Sequence, residues 1–250
     1  MSDNILFLDI ETIPSQSPTI KEEILAGLKP PGNISKAETL AKWWQEKAPA
    51  LADEQYHRTG LDGTTGELLS IAWAFNQEDV QCIIRTLDQP EIMLLNQFFA
   101  VLEETNTDYL HWCAHNAEFD LSFLWKRCVI LKHMPPIGIP RGRNKDIRDT
   151  MEMWAGYRDK IKFDDLCRVL GLKGKTGMDG SMVWQYVQEG RYDEIKAYNI
   201  DDVNQLRECY RRMKFLDYVP SDPEKETEAI NGEDRKLEES GFFDKIQKEI

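Results

Sequence analysis

The chain has no Cys-x-x-Cys pair, and its five cysteines, Cys82, Cys113, Cys128, Cys167 and Cys209, are scattered and odd in number. This excludes a disulfide framework and a cysteine-bound structural zinc, and it reads as a set of reduced, mostly buried thiols in a cytosolic protein. Long apolar runs are also missing. The first such run is short and contains acidic residues, and none approaches membrane-spanning length, so neither a signal peptide nor a membrane protein is expected. Positive charge is in deficit, with 31 Lys and Arg against 44 Asp and Glu and a net charge of −13. That balance is the main objection to a polyanionic partner. Gly174, Lys175 and Thr176 look like the end of a phosphate-binding loop. The position that needs glycine is Val169, however, and Phe163 to Leu170 reads as helix where a strand is required. Nucleotide triphosphate binding is therefore rejected. A 250-residue chain that is 41% hydrophobic can bury a sizeable core in one domain without disulfides or structural metal.

Against these absences stand four carboxylates and a tyrosine. Ile5, Leu6, Phe7 and Leu8 lead straight into Asp9, Ile10 and Glu11, which reads as a buried central strand. Strand side chains alternate faces, so Asp9 and Glu11 point the same way, about 7 Å apart along the chain. Two carboxylates there would repel each other and suffer desolvation unless a cation sat between them. Asp120 follows a strand-like Tyr109 to Ala114 and lies just inside an apolar helical segment, Phe119 to Leu131, with Asn116 as its expected cap. A long amphipathic helix is predicted from about Asp193 to Phe215, with an apolar stripe of Ile195, Val203, Leu206, Tyr210 and Met213. Tyr198 and Asp202 lie about 40° apart on the edge of that stripe, whereas Asp201 points away. The helix therefore selects Asp202 as the inward carboxylate.

In the order ILFLDIET, HNAEFDLSFL and YNIDD, these segments resemble the three exonuclease motifs of the DEDD superfamily of 3′-to-5′ exonucleases. The Tyr-x-x-x-Asp form of the third marks the DEDDy branch, and none of His57, His111, His115 and His133 lies near it. The stretches LCRVLGLKGKTGMDGS and GRYDEIKAYNIDDV are similar to stand-alone proteins related to the proofreading exonuclease domain of family-B DNA polymerases. The resemblance spans about Asn4 to Phe215.

The resemblance implies an α/β, ribonuclease-H-like mixed sheet flanked by helices. It also implies catalytic residues Asp9, Glu11, Asp120, Tyr198 and Asp202, the four carboxylates holding two divalent cations. Such a pair lowers the pKa of the attacking water and neutralises the leaving 3′-oxygen. Asp9 would bridge the ions, Glu11 and Asp202 would complete the site holding the attacking water, and Asp120 would support the second ion through water. Oxygen-only ligands favour Mg2+ or Mn2+ over zinc. Tyr198, with an ordinary pKa near 10, would orient the water by a hydrogen bond instead of acting as a base. Thr12 and Ile13 are expected to contact the last base, and His115, Asn116 and Phe119 the phosphate or sugar. The expected substrate is single-stranded DNA or a frayed 3′ end. The alternatives are an exoribonuclease of the same chemistry and a non-catalytic module that keeps the fold for binding.

The remaining organisation is that of an exonuclease domain over 1–219, with an insertion at 14–66, and an acidic C-terminal tail at 220–250. The insertion contains a helical Ser35 to Lys47 with Trp43 and Trp44, which either stack on bases or put one ring into a local core. Strands are expected at Leu68 to Phe75 and Val80 to Thr86, and a helix at Pro90 to Glu104. Asp149 and Thr150 open a segment read either as another strand or as a cap. Between Lys126 and Arg148 seven basic residues face one acidic residue, in a stretch broken by Pro135, Pro136 and Pro140. This reads as an exposed loop, either guiding a strand into the site or merely solvated. The tail carries ten acidic against five basic residues and reads as a solvating segment or as a dock for a protein partner. A cytoplasmic, membrane-free location is expected.

Overall fold

The computed structural model describes residues 4–105, 107–174 and 177–216. The acidic segment expected at 220–250 lies outside them. The chain runs β1 (Asn4–Ile13), α1 (Ile20–Gly27), α2 (Ala37–Glu46), α3 (Ala48–Arg58), β2 (Glu67–Phe75), β3 (Gln81–Ile84), α4 (Ile92–Glu104) and β4 (Leu110–Ala114). It continues with α5 (Ala117–Ile130), β5 (Ile147–Asp149), α6 (Thr150–Ala155), α7 (Phe163–Val169), α8 (Val183–Gln188) and α9 (Tyr192–Met213). The strands form one sheet in the order β3-β2-β1-β4-β5. The β1–β2 and β2–β3 pairs are antiparallel, and β1–β4 and β4–β5 are parallel.

Strand β1 lies at the centre of the sheet, and its alternation assigns residues to two cores. Leu6, Leu8 and Ile10 face one core, with Leu94 and Phe98 of α4 and Leu121 and Leu124 of α5. Ile5 and Phe7 face the other, with Val203, Leu206 and Tyr210 of α9. The rings of Phe7 and Tyr210 meet edge to face, 5.6 Å apart. Asp9, Glu11 and Ile13 continue the α9 side. Glu11 pairs with Ser70 but Thr12 with Leu68, so Leu69 is an extra residue where the strand leaves the site.

The insertion folds as three helices. Its end is strapped to β1: Thr12 Oγ1 donates to the Gly60 carbonyl (2.6 Å), and Thr59 Oγ1 accepts from Ser15 N (2.9 Å). Trp43 is buried and Trp44 is partly exposed, which matches one ring in a local core.

Two expectations need correction. Asn116 stands at the N-cap of α5, but in a left-handed conformation and with no capping bond from its side chain. The carboxylate of Asp149 instead accepts the amides of Asn116 (3.0 Å) and Ala117 (2.8 Å), and it caps α6 through Met151 N (2.9 Å). Of the two readings of Asp149, the cap is the one seen: it ends β5 and caps α6. The basic stretch is also less exposed than expected. Lys126 and Arg127 lie on α5, and the buried Arg127 guanidinium grips Glu91 with bonds of 2.6–3.1 Å.

Candidate active site

The carboxylates of Asp9, Glu11 and Asp202 each present an oxygen, and these oxygens lie within 4.8 Å of one another. Asp9 and Glu11 share the α9-facing side of β1, and Asp202 enters from the helix packed on that side. Asp201, one residue away, accepts instead from Gln205 Nε2 (2.9 Å). Glu11 and Asp202 are buried, so their negative charges have little water to screen them. An all-oxygen cluster of this density suits a hard divalent cation.

Asp120 is not part of this group of three. It comes from α5, which packs on the opposite face of the sheet, and meets the edge of β1 beyond its pairing with β4, where its Oδ1 accepts from Ile10 N (3.3 Å). Burial, together with the charge of Asp149, pushes its carboxyl up to about 8 despite the hydrogen bonds that oppose the shift. Tyr198, one helical turn before Asp202, is hydrogen-bonded to that carboxylate. Burial raises its phenol far above the ordinary value, and the charges of Glu11, Asp202 and Asp9 add to the shift. The hydroxyl therefore stays protonated across the working pH range and acts as a donor.

Asn199 was missed by sequence reasoning. It is wholly buried, its Nδ2 donates to Asp9 Oδ2 (2.5 Å), and its Oδ1 accepts from Ser70 Oγ (2.8 Å). Ser70 stands opposite Glu11 across the β1–β2 pair. The signal was present: Asn199 is four residues after Ile195 and four before Val203, at a core position of the apolar stripe where a polar side chain needs a partner.

The expected nucleotide contacts divide. Thr12 and Phe119 line a cavity of about 430 Å3 that opens beside Glu11, with Leu61 from the end of the insertion and Trp184 from α8. Ile13 does not reach this cavity, which corrects the expectation of a base contact. It shares the face of Asp9 and Glu11, but there its side chain is covered by Leu69, Met178 and Val183 and has no exposed surface. His115 is occupied by the fold, with Nδ1 3.0 Å from Thr150 Oγ1 and Nε2 3.0 Å from the Ile161 carbonyl oxygen. It lines a second cavity together with Asn116.

A mixed sheet with this strand order, flanked by helices and carrying the carboxylates on its central strand and last helix, is the ribonuclease-H-like fold of exonuclease domains. A solved family B DNA polymerase from the hyperthermophilic archaeon Pyrobaculum calidifontis matches 86% of this chain with a TM-score of 0.54. The identity is 14% and the chain spans 25% of that polymerase, so the likeness is one of fold. Residues 139–236 match the family described as a predicted 3′-5′ exonuclease related to the exonuclease domain of PolB. The resemblance to the exonuclease domain of family-B polymerases is borne out, with the third motif inside the matched residues. No curated protein matches the sequence. Among the described residues, no helix is long and apolar enough to cross a membrane.

Proposed function

We propose that this chain is a metal-dependent 3′-to-5′ exonuclease that removes nucleoside 5′-monophosphates from the end of single-stranded DNA. The observation that carries this reading is the convergence of Asp9, Glu11 and Asp202 within 4.8 Å, beside a cavity of about 430 Å3. When bound, two divalent cations, Mg2+ or Mn2+, supply an activated water and charge neutralisation at the leaving oxygen. Asp9, Glu11 and Asp202 would hold them, with Asp120 supporting from the α5 side.

The protein's own work is positioning. Asn199 fixes Asp9 from behind, so the carboxylate keeps one orientation while it ligates. Tyr198 presents a neutral hydroxyl whose hydrogen bond orients the water for in-line attack on the phosphorus. The terminal nucleoside occupies the cavity lined by Thr12, Leu61, Phe119 and Trp184. This cavity is of a size with ordinary small-ligand pockets, so it receives one nucleoside at a time.

The test compares wild type with Asp9→Ala on 5′-labelled single-stranded DNA and RNA, each with magnesium, manganese or chelator. The expected result is a metal-dependent ladder shortening from the 3′ end of DNA, absent in the variant. Shortening of RNA alone would transfer the reading to an exoribonuclease. Cleavage of neither, with the oligonucleotide still bound, would replace it with a binding module.

A further inference from the structure

A second cavity, of about 1070 Å3, has no part in the chemistry above. Its walls include His115 and Asn116 at the start of α5, Lys160 and Lys162 ahead of α7, and Met178 and Asp179. It adjoins the nucleoside cavity along two stretches of chain. Gly177 to Asp179 line the larger cavity, whereas Gly180, Ser181 and Trp184 line the smaller. On α5, Asn116 borders the larger cavity and Phe119 the smaller, with Asp120 the next residue. Met178 packs in the same core cluster as Tyr198, which fixes this wall against the catalytic helix. A strand whose 3′ end occupies the nucleoside cavity therefore has the larger cavity as its continuation.

The charges in this second cavity suit a phosphate backbone. Lys160 and Lys162 are exposed, and neither forms a salt bridge with a described residue. They are two residues apart in an irregular segment before α7, with Lys162 extended at φ −70 and ψ 147. The cavity's carboxylates are engaged elsewhere: Asp164 pairs with Arg168 (3.2 Å), and Asp179 accepts from Ser181 N (2.8 Å) and Ser181 Oγ (2.5 Å). Most of the basic residues between 126 and 148 have partners of their own. Lys126 is bound to Asp62, Arg127 to Glu91, Arg148 to the carbonyl of Lys145, and Arg141 lies over Trp125.

Resting on the exonuclease reading, we propose that the groove carrying Lys160 and Lys162 holds the phosphate backbone of the single strand upstream of the terminal nucleotide. It gives a chain of net charge −13 a local hold on a polyanion, through two exposed lysines on the approach to the site. Two point-charge contacts imply weak, salt-sensitive binding without base preference.

The test uses the full chain and its Lys160→Glu/Lys162→Glu and Lys160→Arg/Lys162→Arg double variants. Two substrates are compared, a single-stranded oligodeoxynucleotide of about twelve residues and the p-nitrophenyl ester of thymidine 5′-monophosphate, which is too short to reach the groove. In the glutamate variant, the oligonucleotide-to-ester ratio of kcat/KM is expected to fall about tenfold or more. The dependence of log affinity on log salt becomes shallower by about 1.4, at about 0.7 per lost contact for a single strand. The arginine variant keeps both values near wild type. A glutamate variant with the wild-type ratio and salt slope overturns the proposal. If wild type cleaves neither substrate, the exonuclease reading fails by itself, and the groove is judged by fluorescence anisotropy of the labelled oligonucleotide. Equal binding by wild type and the glutamate variant then overturns it, and binding lost only in that variant supports it.

Discussion

Two side chains set the behaviour of the carboxylate cluster without being among its three members. Asn199 bridges Ser70 and Asp9, with both of its amide atoms satisfied inside the protein. Asn199→Ala leaves the Ser70 hydroxyl buried and unpaired and frees Asp9 to rotate. Expected outcomes are a loss of about 1 to 3 kcal/mol of stability and about 10- to 100-fold weaker manganese binding. A denaturant titration and a metal titration followed by calorimetry check them. Asp120 gives a pH dependence. Burial raises its folded carboxyl to about 8 from an ordinary value of 3.8, so between these values the folded metal-free protein keeps a proton that the unfolded chain has lost. Stability conferred by the protonated form is complete below the unfolded pKa, falls as pH rises through the window, and levels off above the folded pKa. The limiting slope is about 1.4 kcal/mol per pH unit. Asp120→Asn keeps an acceptor for Ile10 N and removes the titration. In chelator, wild type is expected to lose melting temperature relative to this variant between pH 5 and pH 8; parallel curves would refute the assignment.

Among the elements, α5 is held by its apolar face and by one buried ion, Arg127. Its guanidinium grips Glu91 just ahead of α4 and donates to the carbonyl of Gly63 at the end of the insertion (3.2 Å), while Glu91 also accepts from Leu68 N on β2 (2.8 Å). One buried pair thus ties four segments at the edge of the site. Removing one partner leaves an uncompensated buried charge, so Arg127→Ala is expected to cost about 3 to 5 kcal/mol. The partly exposed Lys126–Asp62 pair, although only 2.6 Å long, is screened by solvent, and Lys126→Ala is expected to cost no more than about 1 kcal/mol. Chemical denaturation of the two variants side by side measures the difference. The same comparison explains why counting basic residues from 126 to 148 overstated the positive surface available to a strand.

For the molecule as a whole, folding brings together carboxylates from opposite ends of the sequence. Asp9 and Asp202 are 193 positions apart, yet their oxygens lie within 4.8 Å of Glu11 and of each other. A cation that binds only the folded arrangement stabilises it by mass action, by about 2.7 kcal/mol at a hundred times its dissociation constant. Manganese is therefore expected to raise the melting temperature of wild type by several degrees and that of Asp9→Ala by much less. Differential scanning fluorimetry reads this directly, and an equal rise in both would remove the cluster as the binding site.

The sequence by itself determined the first four strands, the helices α4, α5 and α9, the faces of β1 and α9, and the choice of Asp202 over Asp201. Each of these follows from a local period of 2 or 3.6 residues. It also carried the resemblance that the family match and the fold bear out. Alternation along β1 puts Ile13 on the face of Asp9 and Glu11, and its burial there comes from Met178 and Val183, which only folding brings over it. Three further features were decided only by tertiary structure. Asp120 approaches from the opposite face because α5 packs there, His115 spends both ring nitrogens on segments 35 and 46 residues away, and Arg127 is consumed by Glu91. Periodicity reports which side of an element a residue faces. What waits on that side depends on contacts between distant segments, and only the folded chain brings those together.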